Sequence, residues 1–209
     1  MAGFMVAQDQ SVDTRNQLLN TVQDRVLWLA VNMVHHANQV RPNPDGLKVG
    51  GHQASSSSVV TLLTSLYFDF MQPGDKIAIK PHASPVFHAI QYLLGNLDPE
   101  YMMRLRDLHG LQAYPSRTKD PDDVDYTTGS VGLGAVAPNF DAWVEGYIES
   151  HFGTGRPASN RYISLVGDAE LDEGSVWEAI AEPNFHGLDN VMWVVDLNRQ
   201  SLDLSLIHI

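Results

Sequence analysis

The sequence predicts an α/β protein built on an open, mainly parallel sheet with helices on both faces. Two segments, "RYISLVG" (161–167) and "NVMWVVDL" (190–197), are near-continuous apolar runs, the pattern of parallel strands covered on both sides. Between them a helical pattern runs through Trp177 and Ile180, and strands that alternate with helices specify an open α/β sheet. At 209 residues and 44% hydrophobic content, the chain is long enough to bury one sizeable core.

The remaining elements follow from periodicity and punctuation. Leu18, Leu19, Val22, Val26, Leu29, Ala30 and Met33 recur at three and four positions, which predicts an amphipathic helix from Asp13 to about Gln39. The prolines between Arg41 and Asp45 end it, so residues 1–40 are read as a helical segment ahead of the domain formed by 41–203. A second helix is expected from about Ser56 to Phe70, capped by one of the serines, followed by the short strand "KIAIK" (76–80). Pro85 to Leu94 and Pro99 to Leu108 read as helices with proline in the first turn, where its missing N–H does no harm. A long polar segment from His109 to Gly134 precedes a helix from Gly134 to His151, and connections of that length in compact domains are usually functional. Residues 204–209, "LSLIHI", are expected to be a truncated or foreign tail, because a rim loop of this kind should lead into another helix.

Composition narrows the function. The net charge is −12 and there are 25 acidic against 13 basic residues, which argues against nucleic acid as a partner. The absence of cysteine excludes disulfides, thiolate metal sites and a cysteine nucleophile. The N-terminus lacks a signal-peptide pattern and "VLWLAVNMV" (26–34) is far shorter than a membrane span, so a soluble, cytoplasmic protein with no membrane partner is expected.

In open α/β sheets ligands sit beyond the carboxyl ends of the strands, which puts Gly167 and Asp168 on the same rim as Asn198 and Gln200. A carboxylate, an amide oxygen and a loop carbonyl suit magnesium, and the backbone N–H groups after Gly167 could hold a phosphate that the metal neutralises. "GSVGLG" (129–134) is not a dinucleotide fingerprint, because it precedes a strand rather than following one. Acids in a first helical turn are favoured by its dipole, which accounts for Asp172 and Glu173 without any role in binding.

The segments "GDAELDEG" (167–174) and "LDNVMWVVDLNRQSLD" (188–203) resemble the Gly-Asp-Gly to Asn motif of thiamine diphosphate enzymes. Their flanks resemble the homodimeric first component of the pyruvate dehydrogenase complex, with transketolase more distant. "GGHQASSSS" (50–58), "KPHASP" (80–85), "HGLQAYPS" (109–116) and "TTGSVGLGAV" (127–136) look like four further segments of that family, in the same order. The resemblance spans about residues 30–203 and implies a thiamine diphosphate-binding fold, incomplete at its C-terminus.

Carried over, it makes Asp168, the Asn198 side chain and the Gln200 backbone carbonyl the magnesium ligands. Ala169 and Glu170, after Gly167, would offer backbone N–H groups to the diphosphate. His52 and Ser55 would lie near the diphosphate and thiazolium, His82 near a bound 2-oxo acid, and Val131 and Gly132 against the cofactor rings. His52 and His82 would be the catalytic residues, positioned donors for the charges that appear as carbon dioxide leaves. His35, His36, His109 and His151 carry no such expectation, and His88 is the one other histidine to watch.

The implied activity is decarboxylation of a 2-oxo acid with transfer of the acyl unit to a lipoyl-bearing acyltransferase, in a homodimer. The family's activating glutamate belongs to a later domain, so the 209 residues alone are expected to be inactive. Two departures stand out: Ala169 replaces the glycine at the motif's third position and disfavours a positive φ, and Lys80 stands where the pyruvate enzymes usually have glutamine. A transketolase moving two-carbon units between sugar phosphates is the enzymatic alternative, disfavoured by the scarcity of Lys and Arg near the motifs. The other is a non-catalytic cofactor-binding or assembly module.

Overall fold

The computed structural model describes residues 2–42, 44–46, 49–153 and 160–198, with side chains described from residue 12 onward. Helix α1 (Ala2–His35) continues through a π-turn to Val40 and starts well upstream of the predicted Asp13. Three strands form a parallel sheet in the order β1 (Lys76–Ala78), β2 (Tyr162–Gly167), β3 (Val191–Asp196). Among the described residues no helix is long and apolar enough to cross a membrane.

Side chains alternate across the sheet, and each face has its own cover. Ile77, Ile163 and Leu165, with Met192 and Val194, face a core made by Val26 and Ala30 of α1, Val60 and Leu63 of α3 (Val60–Ser65), and Val86, Phe87 and Ile90 of α4 (Ser84–Leu94). On the other face Val166 and Trp193 pack with Ala135 of α5 (Leu133–Phe152) and Val176 of α6 (Gly174–Ala181). Three polar ties fix α5 there: Trp193 Nε1 donates to Asn139 Oδ1 at 3.1 Å, Lys76 Nζ donates to Asp141 Oδ2 at 2.7 Å, and the Tyr162 hydroxyl donates to Glu145. The expected two-sided sheet is present, and β2 is buried along five consecutive residues because it is the middle strand.

Three element predictions need correction. The helix expected over 56–70 is broken into α2 (Gln53–Ser57), α3 and a π-turn to Phe70, with the break at Ser58–Val59, where Val59 has φ −104° and ψ 4°. No serine caps it, since α2 is preceded by His52, which makes no side-chain capping bond. The helix expected over 99–108 is a short 3₁₀ turn, Pro99–Met103. Beyond it Leu105 bridges to Leu111, both buried, and Arg106 takes φ +57°, so burial of the two leucines wins over helix continuation.

The long segment between α4 and α5 is held by its own acids. Asp120 accepts the N–H groups of Gln112 and Ser116, each at 2.7 Å, and Asp125 accepts that of Ile77 at 2.9 Å. Thr128 Oγ1 donates to the Ile79 carbonyl at 2.6 Å, so together with Asp125 the segment covers the open edge of β1. Asp122 meets His88 Nδ1 of α4 at 2.6 Å, with both side chains fully buried. That gives His88 a structural role: it pins the segment to the core.

Candidate active site

Parallel pairing sets Gly167 opposite Asp196, so β2 and β3 end level and hand the chain to Asp168 and Asn198 on one rim. At the β2 exit, Asp168–Asp172 form a 3₁₀ turn. Glu170 folds back over it: Oε1 accepts the N–H of Gly167 at 2.9 Å and Oε2 that of Gly132 at 3.2 Å. Burial pushes the Glu170 carboxyl up, against the opposing pull of these bonds and of Lys80. The Gly167 N–H is thus committed within the protein, and Glu170 contributes its side chain to the rim's architecture. Ala169 fits without strain, because among the described non-glycine residues only Arg106 and His109 have positive φ.

Gly132 has φ +82°, and a Cβ there would come within 3.0 Å of Glu173 Cβ and 3.2 Å of Ser175 Oγ. Only glycine lets the turn before α5 approach the start of α6 this closely. Val131 beside it is exposed, so this turn presents an apolar side chain next to the rim.

At the β3 exit Asp196 is the hub. Its Oδ2 accepts from Lys80 Nζ at 2.5 Å, Ser58 Oγ at 2.7 Å and Asn198 Nδ2 at 3.2 Å. Burial raises its pKa, but the hydrogen bonds from Lys80 and Ser58 and the Lys80 charge outweigh that and hold the carboxyl below its usual range. Gln200, the third expected metal ligand, lies outside the described residues, as does the tail at 204–209.

His52 lies within electrostatic reach of His82, in company the sequence did not announce. His82 stands edge-on to Tyr114 with ring centroids 5.7 Å apart, and the Arg106 guanidinium lies over the same Tyr114 ring at 5.8 Å. Burial, and then the charges of Arg106, Lys80 and His52, hold His82 below the ordinary histidine pKa. His52 is exposed just before α2, and Gly51 next to it, at φ +85°, would bring a Cβ to 3.0 Å from Arg106 Nη2. Ser55 is half-buried in α2. Two cations therefore act on His82: Lys80, already visible in the 80–85 segment, and Arg106, which the fold brings in from outside the motifs.

The rim thus gathers strand exits, a constrained glycine turn, two histidines and two cations. Residues 72–207 match the family described as transketolase, thiamine diphosphate binding domain. The chain belongs to that family. It is 28% identical over 207 residues to the pyruvate dehydrogenase E1 component of Cupriavidus necator, a match over 95% of this chain and 22% of the relative. Transketolase-like protein 2 of Bos taurus is 33% identical over 160 residues, 71% of this chain and 24% of the relative. The chain thus spans less than a quarter of the length of these relatives. Transketolase from Campylobacter jejuni has the same fold, with TM-score 0.73 and 24% identity over 90% of this chain and 29% of that one. Transketolase from Leishmania mexicana does too, with TM-score 0.69 and 20% identity over 85% of this chain and 27% of that one.

Membership makes this a thiamine diphosphate-binding domain of the transketolase-like superfamily. Of the residues expected to serve the cofactor, the structure brings Gly167, Asp168, Ala169, Glu170, Gly132 and Asn198 to one rim, with Lys80 connecting them electrostatically to His82. Sequence reasoning missed Arg106, Asp196 and Ser58. A signal for Asp196 existed, an acid closing an apolar strand two residues before Asn198, whereas nothing local marks Arg106.

Proposed function

We propose that this chain is the cofactor-binding part of a thiamine diphosphate- and magnesium-dependent 2-oxo acid dehydrogenase, acting on pyruvate and passing the acyl unit to a lipoyl carrier. The observation that carries it is the shared rim of Asp168 and Asn198. Asn198 gives its NH₂ to Asp196, which leaves its carbonyl on the other branch of the carboxamide, and a carboxylate with an amide oxygen is a donor set suited to magnesium. No group of three His, Asp or Glu is placed for a metal among the described residues, and an Asp–Asn–carbonyl set needs none. In this reading Asp168, Asn198 and the Gln200 carbonyl hold the metal. Ala169 and Glu170 offer N–H groups to the diphosphate, and Val131 and Gly132 border the rings.

Thiamine diphosphate, when bound, supplies the carbanion that attacks a ketone and accepts the electrons released with carbon dioxide. The chain's own residues bind and orient. His82, kept neutral near pH 7, can donate a hydrogen bond to a developing alkoxide, His52 and Ser55 border the diphosphate and thiazolium, and Arg106 can take the substrate carboxylate. A homodimer in the cytoplasm completes the reading. The dimer is supported by the exposed apolar side chains of Phe140, Trp143, Val144 and Tyr147 of α5 with Trp177 and Ile180 of α6.

A second reading, ketol transfer between sugar phosphates, is favoured by one observation: the Arg106 guanidinium beside His82 could equally receive a phosphate. Calorimetry of thiamine diphosphate with and without magnesium tests the shared part. Binding that ignores magnesium, or that Asp168→Ala leaves unchanged, would overturn the metal assignment. Pyruvate-dependent carbon dioxide release against pentose phosphate turnover, measured on a longer chain that contains these residues, separates the two reactions.

A further inference from the structure

Lys80 leaves the end of β1 and reaches Asp196 at the end of β3, with only 5% and 9% of the two side chains exposed. β2 lies between those strands, so the ion pair passes over its exit. The crossing point is Gly167, where a Cβ would lie 4.0 Å from Lys80 Cδ and which is the register partner of Asp196. The pair therefore straps all three strand ends together beside the backbone that presents Asp168.

Asp196 has a second task. An ionised carboxylate only accepts hydrogen bonds, so Asn198 must turn its NH₂ toward it, which decides the orientation of the carboxamide. Ser58 and Lys80 supply the other two donors to the same oxygen, and the lysine charge offsets what burial of a lone carboxylate would cost.

We propose that Asp196 and Lys80 are positioning residues for a divalent cation: Asp196 aims the Asn198 carbonyl outward as a ligand, and Lys80 holds Asp196 in place and away from the metal. The inference rests on the magnesium reading above. It also gives a purpose to the lysine that departs from the related pyruvate enzymes.

The test is the magnesium dissociation constant, measured by calorimetry at saturating thiamine diphosphate, with thermal unfolding as the check on folding. Asp196→Ala should weaken magnesium about 10-fold or more, the range found when groups that orient a metal ligand are removed. Asp196→Asn, which keeps an accepting oxygen, should stay within about 3-fold of the parent on the same grounds. Lys80→Met should weaken magnesium several-fold in the parent and add nothing in the Asp196→Ala background, because it acts through Asp196. Should Asp196→Ala fail to fold, Lys80→Met alone carries the test, and an unchanged constant there overturns the proposal. So do an unchanged constant in Asp196→Ala and effects of the two variants that multiply. Loss of magnesium binding in Asp168→Ala but none in Asp196→Ala overturns this inference alone. A parent that binds no magnesium overturns the cofactor reading and this inference with it.

Discussion

Glu170 joins two chain segments by their backbones, taking the N–H of Gly132 on one carboxylate oxygen and that of Gly167 on the other. The exit of β2 and the turn before α5 are thereby fixed to each other at the point where Val131, Gly132 and Asp168 face the rim. Removing the acceptor strands two part-buried donors, and an unsatisfied donor costs more than a hydrogen bond contributes. Glu170→Ala should therefore lose about 2–3 kcal/mol in urea denaturation, with faster amide exchange at Gly132 and Gly167. Glu170→Gln should fall between, since it restores one acceptor and sets an amide against the other N–H. An unchanged midpoint in Glu170→Ala would rule this role out.

Much of the fold was legible because two strands are covered on both faces and carry that burial in their composition. Once "RYISLVG" and "NVMWVVDL" are strands, parallel pairing dictates that Gly167, Asp168 and Asn198 share a rim. What the sequence concealed are contacts between distant residues with no local period. Glu170 meets Gly132 across 38 positions and Lys80 meets Asp196 across 116. The helix expected through Leu108 failed for the same reason, since its periodic leucine at 105 is spent on Leu111 instead of on a helical face. Arg106, at a positive φ inside that closure, lies over Tyr114, a contact no local period announces.

The His88–Asp122 pair makes the acid-rich segment part of the core. Both side chains are fully buried, so deleting one leaves the other desolvated and without its partner. His88→Leu or Asp122→Leu should each cost on the order of 3 kcal/mol in urea denaturation. The double variant His88→Leu/Asp122→Leu should cost less than the sum, because neither polar group is then abandoned. Additive losses would mean that the two residues stabilise the fold independently.

Asp75 predicts an acid-sensitive brace at the other end of the sheet. It takes N–H groups from Gln72 and Arg161 at 2.8 Å each and pairs with the Arg161 side chain, while only 2% of its own side chain is exposed. Burial works against its charge, but the bonds from Gln72 and Arg161 outweigh it and hold the carboxyl below its usual range. A depressed carboxylate contributes stability in full above the unfolded value of about 3.9 and loses it as the pH falls through the folded value. Asp75→Asn should therefore lose about 1–3 kcal/mol at pH 7 by urea denaturation, and its deficit should shrink steadily below about pH 4. A deficit as large at the acid end as at pH 7 would refute the linkage.

Arg106 and His82 make a prediction that reports on the site without any cofactor. Two influences keep the His82 imidazole below the ordinary histidine value: burial is the larger, and the positive charges of Arg106, Lys80 and His52 follow. A cation nearby makes adding a proton harder, so its removal must raise the pKa. Arg106→Met should shift the His82 titration upward in NMR spectra, yet leave it below about 6.5 because burial persists. Arg106→Lys keeps the charge and should leave the titration near the parent's. A midpoint unmoved in Arg106→Met would show that the guanidinium does not reach the imidazole. If the shift occurs as expected, the charge that lowers His82 is the same one placed to receive an anionic substrate, so an anion bound at Arg106 should raise the His82 pKa in turn. That coupling would protonate His82 more readily when the anion is present, placing a donor beside the substrate as it binds.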